Sequence, residues 1–319
     1  MSHTAVIGTN IGDAAAYLQA GDVVAIPTET VYGLAANALD EEAVLKIFEA
    51  KGRPKFDPLI VHCASVEAIK KYVTEVPPVA ERLLQTFAPG PITILLPKKP
   101  TIPHLVTSGL PQVAMRIPKH PLALQLLQAL PFPVAAPSAN PFGYISPTTA
   151  QHVAQQLGSR IPYILDGGPA GVGVESTIIG FEAGSPVLYR LGGLPIAEIE
   201  TITGSLQQQL NQSSNPVAPG ALKSHYAPRK KLYFSPSHVV LGNVAVIGFN
   251  ELLPGYPPEA QHLLSPSGSL HEAARNLFAT MRALDESSCD SIVAVSFPQQ
   301  GLGLAINDRL RRAAVANAH

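Results

Sequence analysis

The chain has 319 residues, 46% of them apolar but only 14% charged, with a formal net charge of −1. That length suits two domains with a sizeable core, and the near-neutral balance gives no global attraction to nucleic acid or to an anionic membrane. Cys63 and Cys289 alone build neither a disulfide framework nor a zinc site; with no basic leader and no apolar run of about 18 residues, a reducing cytoplasm is the expected compartment.

In chain order, residues 13–20 read as a helix closed by Gly21, which tolerates a left-handed cap. Residues 23–26 read as a buried strand stopped by Pro27. Asp40 is placed to cap the next helix, with Glu41 and Glu42 near the positive end of its dipole. Val44, Ile47 and Phe48 give that helix one apolar face, and Gly52 ends it. Short apolar runs predict strands at 59–63, 92–96, 113–117, 134–136, 163–165, 176–180 and 187–189. Helical patterns predict helices at 66–72, 79–87, 122–129, 149–157 and 196–202. The result is an α/β fold around a large twisted sheet flanked by helices. The sheet is expected to be mixed parallel and antiparallel, because Glu175 to Arg190 has the spacing of a hairpin.

After Gly204 the composition turns polar, which suggests a linker. The expected organisation is a first domain at 1–207, a linker or lid at 208–236 and a small Rossmann-like α/β domain at 237–319. The last carries predicted strands at 244–249 and 292–297 and helices at 270–284 and 306–316.

Several segments gather polar groups where the chain leaves a strand. Thr28, Glu29, Thr30 and Tyr32 follow the first buried strand, where open α/β sheets place ligand loops, although Thr28 or Thr30 also suits a cap. Lys51, Arg53 and Lys55 put three cations in five residues of a charge-poor chain. Such a cluster suits phosphate, with Arg offering a fork and Lys a point charge. A basic helix end explains Lys51 as well, but not Arg53, which lies beyond the glycine and reads as an exposed loop cation. His62 and Arg116 each sit in an apolar strand: a core histidine is the blander reading of the first, and the second needs a partner or an anionic ligand. Ser138 and Asn140 close a strand exit of small residues, and Thr148 either binds ligand or caps a helix. A glycine-rich excursion from Asp166 to Thr177 precedes the hairpin, and Arg190 closes it beside two glycines.

Taken together these segments are more specific. Pro27 to Leu34, Lys51-Gly52-Arg53-Pro54 with Pro58 to His62, Ala136 to Asn140, and Gly173 to Thr177 closely resemble the YrdC-like threonylcarbamoyl-AMP synthases. Ser224-His225-Tyr226-Ala227-Pro228 ahead of a small α/β domain resembles the longer, two-domain form, with Asn307-Asp308-Arg309-Leu310 among the later matches. The resemblance implies an enzyme that joins L-threonine, bicarbonate or CO2, and ATP into threonylcarbamoyl-adenylate, with Mg²⁺ accompanying ATP. The product would pass to separate tRNA threonylcarbamoyl-transferase proteins, with at most weak contact to tRNA and none to a membrane. Carried over by position, Lys51, Arg53 and Arg190 hold the phosphates or developing charge, the first two as catalytic groups. Ser138, Asn140 and Thr148 bind nucleotide, Asp57 stands near the triphosphate where only a metal makes a carboxylate welcome, and Thr30, His62, Arg116 and Ser176 surround threonine and its carbamate. Tyr226 folds over as a lid. Two other readings remain at this stage: a carbamoyl-transfer enzyme, and an RNA-binding module without catalysis.

Overall fold

The computed structural model describes residues 4–210, 218–220 and 224–315. The first part runs β1 (Val6–Gly8), α1 (Ile11–Gln19), β2 (Val24–Ile26), β3 (Gly33–Asn37), α2 (Glu41–Lys51), β4 (Ile60–His62), α3 (Val66–Lys70), α4 (Pro78–Phe87), β5 (Ile92–Pro97), α5 (His104–Thr107), β6 (Gln112–Arg116), α6 (Pro121–Ala129), β7 (Val134–Ala135), α7 (Ala150–Leu157), β8 (Tyr163–Leu165), β9 (Thr177–Glu182), β10 (Ser185–Arg190), α8 (Ile196–Thr203) and β11 (Gln207–Gln208). The second runs β12 (Lys231–Phe234), β13 (Val244–Gly248), β14 (Gln261–Leu263), α9 (Leu270–Glu286), β15 (Ser291–Ala294) and α10 (Leu302–Val315).

Among the described residues, β1 to β11 form one eleven-stranded sheet ordered β1-β8-β2-β3-β7-β4-β6-β5-β9-β10-β11. It is mixed: β4 and β6 are parallel, while β9 and β10 form the expected antiparallel hairpin. A four-stranded parallel sheet, β12-β15-β13-β14, forms the small α/β unit. No described helix is long and apolar enough to cross a membrane.

Local chemistry sets the ends of α2. The Asp40 carboxylate accepts from the N–H groups of Glu42 and Ala43, and Gly52 closes the helix at φ 61°. Any side chain at that left-handed turn is strained, so glycine lets the chain reverse and bring Arg53 back towards the sheet.

Five strands escape sequence reading, the two-residue β11 among them. β3 is Gly-Leu-Ala-Ala-Asn, a run of low strand propensity that forms because β2 and β7 flank it. β1 and β14 have three residues each, and β12 lies inside the stretch expected to be linker. β9 runs past Gly180 to Glu182, and α3 stops at Lys70, short of Tyr72. Residues 211–217 and 221–223 of the expected linker, and residue 316 of the expected last helix, lie outside the described residues.

The small domain shares a core with loops of the first. Phe278, Met281, Leu302 and Leu310 from α9 and α10 pack in one buried cluster with Val31, Ile145 and Val174 from loops of the first domain. At about 1.5–3 kcal/mol per buried side chain, this cluster makes the small domain an integral wall for those loops.

Candidate active site

The end of α2 supplies the first wall. Lys51 is buried, and its ammonium donates to the carbonyls of Ser138 and, at 2.6 Å, Asn140. Burial and then the charge of Arg53 push it well below the usual lysine range, with Asp57 pulling the other way. Arg53 is also buried: Nη2 lies 2.9 Å from Asp57 Oδ2, and its N–H groups donate to the carbonyls of Asp57 and Pro58. This corrects the exposed loop cation expected at that position. Asp57 has 0% of its side chain exposed, so its partner is Arg53, not a solvated metal.

The middle of the sheet supplies the floor. β4 and β6 run side by side so that His62 pairs in register with Arg116. Arg116 Nη2 sits 2.8 Å from Glu29 Oε1, and the other Glu29 oxygen accepts from the Lys119 N–H. Burial, then the Arg116 charge, lower the His62 imidazole to about 3, so it is neutral at physiological pH.

The hairpin supplies the third wall. Its register shifts between Leu188 and Arg190, and such an irregularity re-aims a side chain. Arg190 donates to Ser176 O, Ser176 Oγ and Pro219 O. Burial lowers it to about 10 against the pull of Glu175, so it stays cationic at neutral pH. A Cβ on Gly192 would lie 2.3 Å from the Ser176 and Thr177 backbone, so only glycine permits this approach.

Linker and small domain close the top. Tyr226 is buried at φ 66°, stacked on Phe278 and lying under the guanidiniums of Arg309 and Arg312 at 5.3 and 5.0 Å. His225 packs edge-on against it. Burial raises the Tyr226 phenol, which therefore stays protonated.

These walls line a tight cleft with a cavity volume of about 50 Å³, below the usual range for small-molecule sites. Of the residues singled out in the sequence, Arg53, His62, Arg116, Ser138, Arg190 and Tyr226 line it. Lys51, Asp57, Thr30, Ser176, Asn140 and Thr148 do not line it, and most of their polar atoms serve protein partners. Asn140 Oδ1 is buried with no hydrogen-bond partner among the described residues. Thr30 Oγ1 meets Thr28 Oγ1 at 2.9 Å. Ser176 Oγ holds Thr93 and Arg190. Asn140 Nδ2 donates to the carbonyls of Pro141 and Tyr144. Thr148 contacts His152, and the cap of α7 is its neighbour Thr149. Sequence reading left Glu29, Glu175, His225, Arg309 and Arg312 without roles; the two carboxylates lay inside the motifs quoted, and Arg309 inside a late match.

The donor set does not fit a metal held by the protein. Among the described residues no group of three or more His, Cys, Asp or Glu is placed to hold one. Glu29, Asp57 and Glu175 each already face a guanidinium at 2.8–3.1 Å.

Comparison with known proteins places this geometry. The Sua5/YciO/YrdC model, described as telomere recombination, matches residues 16–192. A model described as the C-terminal domain of threonylcarbamoyl-AMP synthase matches residues 194–315. The chain belongs to the threonylcarbamoyl-AMP synthase family. Threonylcarbamoyl-AMP synthase of Pyrococcus abyssi is 42% identical, over 94% of this chain and 92% of its own length. That of Bacillus subtilis is also 42% identical, over 95% and 92%. The crystal structure of P. abyssi Sua5 complexed with L-threonine superposes with a TM-score of 0.89 at 39% identity, covering 98% of both chains. Full-length HypF, by contrast, is covered over only 29% of its length, at 27% identity and a TM-score of 0.52.

Proposed function

We propose that this member of the family forms L-threonylcarbamoyl-adenylate and pyrophosphate from L-threonine, bicarbonate or CO2, and ATP. The observation that carries the reading is the convergence of Arg53, Arg116 and Arg190, from three separate segments, on one cavity. The full-length likeness to a Sua5 solved with L-threonine supports threonine as the substrate.

The threonine amine adds to the one-carbon unit, and a carbamate oxygen then attacks the α-phosphorus of ATP while pyrophosphate leaves. Such chemistry asks for positioning and charge neutralisation more than for a nucleophilic side chain. Arg53 and Arg190 serve the phosphates, with Lys51 fixing the Ser138–Asn140 turn that carries nucleotide contacts. Arg116, oriented by Glu29, serves the threonine carboxylate or carbamate. His62 is too weak a base to take the amine proton and acts as a neutral polar contact. Tyr226 covers the site and excludes water that would hydrolyse the mixed anhydride. Mg²⁺ enters as MgATP, held by phosphate oxygens. The adenylate then passes to separate proteins that modify tRNA.

Pyrophosphate release should require threonine and bicarbonate together. Release that ignores threonine, or none at all, would overturn the proposal.

A further inference from the structure

We infer that Arg309, on α10 of the small domain, is a positioning residue for the adenylate-forming site. It fixes Glu175 in the cavity wall and Tyr226 above the cavity at once. The inference rests on the synthase reading above and gives the small domain a part in the reaction.

Arg309 has no exposed surface, and it is the largest of the fully buried side chains. Its Nε lies 3.1 Å from Glu175 Oε2. Its Nη1 donates to the Leu191 carbonyl at 2.7 Å and to Asp308 Oδ2 at 2.9 Å. Its guanidinium carbon lies over the Tyr226 ring, 5.3 Å from the ring centre. One group therefore touches the hairpin that carries Arg190, the carboxylate beside the cavity and the residue that covers it. Arg312, one turn on, donates to the Gly220 carbonyl at 2.8 Å and covers the same ring.

The surroundings make this arrangement more than packing. Arg309 sits where α9 and α10 meet the first domain, among apolar side chains and a few other buried polar groups such as Arg282, which donates to the Ile145 and Ser146 carbonyls. A leucine or methionine there would bury without a desolvation penalty. What a charge adds is a grip on Glu175, whose other oxygen accepts from Ser146 Oγ at 2.6 Å. The planar fork matters too. It bonds in its plane and stacks on its face, whereas an ammonium provides one point of charge. Arg309 Nη2 is buried with no hydrogen-bond partner among the described residues, so the fork has a donor left over beside the site.

The groups facing Glu175 are Arg309 from α10, Arg190 from the hairpin, Ser146 from its loop and Tyr226 from the linker. Burial raises the Glu175 carboxyl, but Arg309 first, then Arg190 and Ser146, hold it below its usual range. Removing Arg309 should therefore let the carboxyl protonate at higher pH.

The test uses the full chain carrying Arg309→Met or Arg309→Lys. It measures pyrophosphate release, its pH profile, and hydrogen exchange at the linker residues Gly220, His225 and Tyr226. Both variants should lose at least tenfold in kcat, with the KM for ATP changed less than about threefold. Linker amides should exchange faster, and in Arg309→Met the acid limb of the profile should move up by a pH unit or more. Should Arg309→Met fail to fold, Arg312→Gln carries the test, with faster linker exchange, lower kcat and an unmoved acid limb. An Arg309→Lys enzyme with wild-type kcat and linker protection would overturn the inference, as would losses that only follow the fraction of folded protein. Wild-type protein that releases no pyrophosphate would instead overturn the synthase reading, while linker exchange still reports on Arg309.

Discussion

Arg53 offers the sharpest separation of stability from chemistry. Its side chain is 5% exposed and that of Asp57 is 0%, with 2.9 Å between charged atoms. Arg53→Ala strands a buried carboxylate, at a cost of about 3–5 kcal/mol. At about 2–4 °C per kcal/mol for a domain of this size, the melting temperature should fall by roughly 6 °C or more. The double variant Arg53→Ala/Asp57→Ala removes the stranded charge and should recover a good part of that loss. It should not recover turnover, because Arg53 lines the cavity and Asp57 does not. Calorimetry and pyrophosphate release on wild type, both single variants and the double variant complete the cycle. An Arg53→Ala protein that melts with the wild type would show that the pair is not buried in solution. A double variant that regains turnover would show that Arg53 acts only on Asp57.

The other predictions concern the groups behind the cavity. Lys51→Met leaves two buried carbonyls without their donor, so denaturant unfolding should show a loss of about 2–5 kcal/mol; full stability with no turnover would instead put the ammonium on substrate. His62 is held at about 3 in the folded chain against 6.5 when free, so between those values only the unfolded chain binds the proton. Stability should therefore fall as the pH drops below about 6.5, by at most about 1.4 kcal/mol per pH unit from this residue. Urea midpoints at pH 7, 6 and 5 should show a shallower slope in His62→Gln, with His152 and His225 keeping part of it; an unchanged slope would place His62 in water. Dialysis against a chelator should leave the melting temperature unmoved, since no described carboxylate cluster holds a metal, and activity should return with MgATP alone. A lower melting temperature after dialysis would reveal a resident ion.

What the sequence disclosed, and what it hid, divides along physical lines. The helix from Glu41 to Lys51 was legible because its signals are local: an aspartate cap, acidic first turn, one apolar face and a terminal glycine. The β9–β10 hairpin was legible from spacing, and the mixed sheet followed from it. β3 was not, because a run of small residues becomes a strand only when β2 and β7 pair with it. The polar clusters did converge, but sequence cannot tell a residue that lines a cavity from one that braces it. Thr30 and Ser176 sit in the right motifs and spend their hydroxyls on Thr28, Thr93 and Arg190. Nor does local sequence show that Arg53 is shielded: a cation after a glycine looks exposed until Asp57 and the linker are in place.

Charge balance explains why so many of these groups come in pairs. Five guanidiniums, on Arg53, Arg116, Arg190, Arg309 and Arg312, gather in or directly behind the cavity with four carboxylates, on Glu29, Asp57, Glu175 and Asp308. Pairing offsets the desolvation that isolated buried charges would suffer. It also fixes the direction of each fork before substrate arrives, so little reorganisation is needed in the transition state. Arg190 is the member whose three donors go to backbone and hydroxyl oxygens, with no ion pair among the described residues. Its charge is offset only at longer range by Glu175, whose closest cation is Arg309 of the small domain. On the proposed reading, a negative ligand in the cavity supplies the counter-charge that Arg190 lacks. How well Arg190 receives that ligand then depends, on the same reading, on how firmly Arg309 keeps Glu175 turned towards itself, which would tie the small domain to the site.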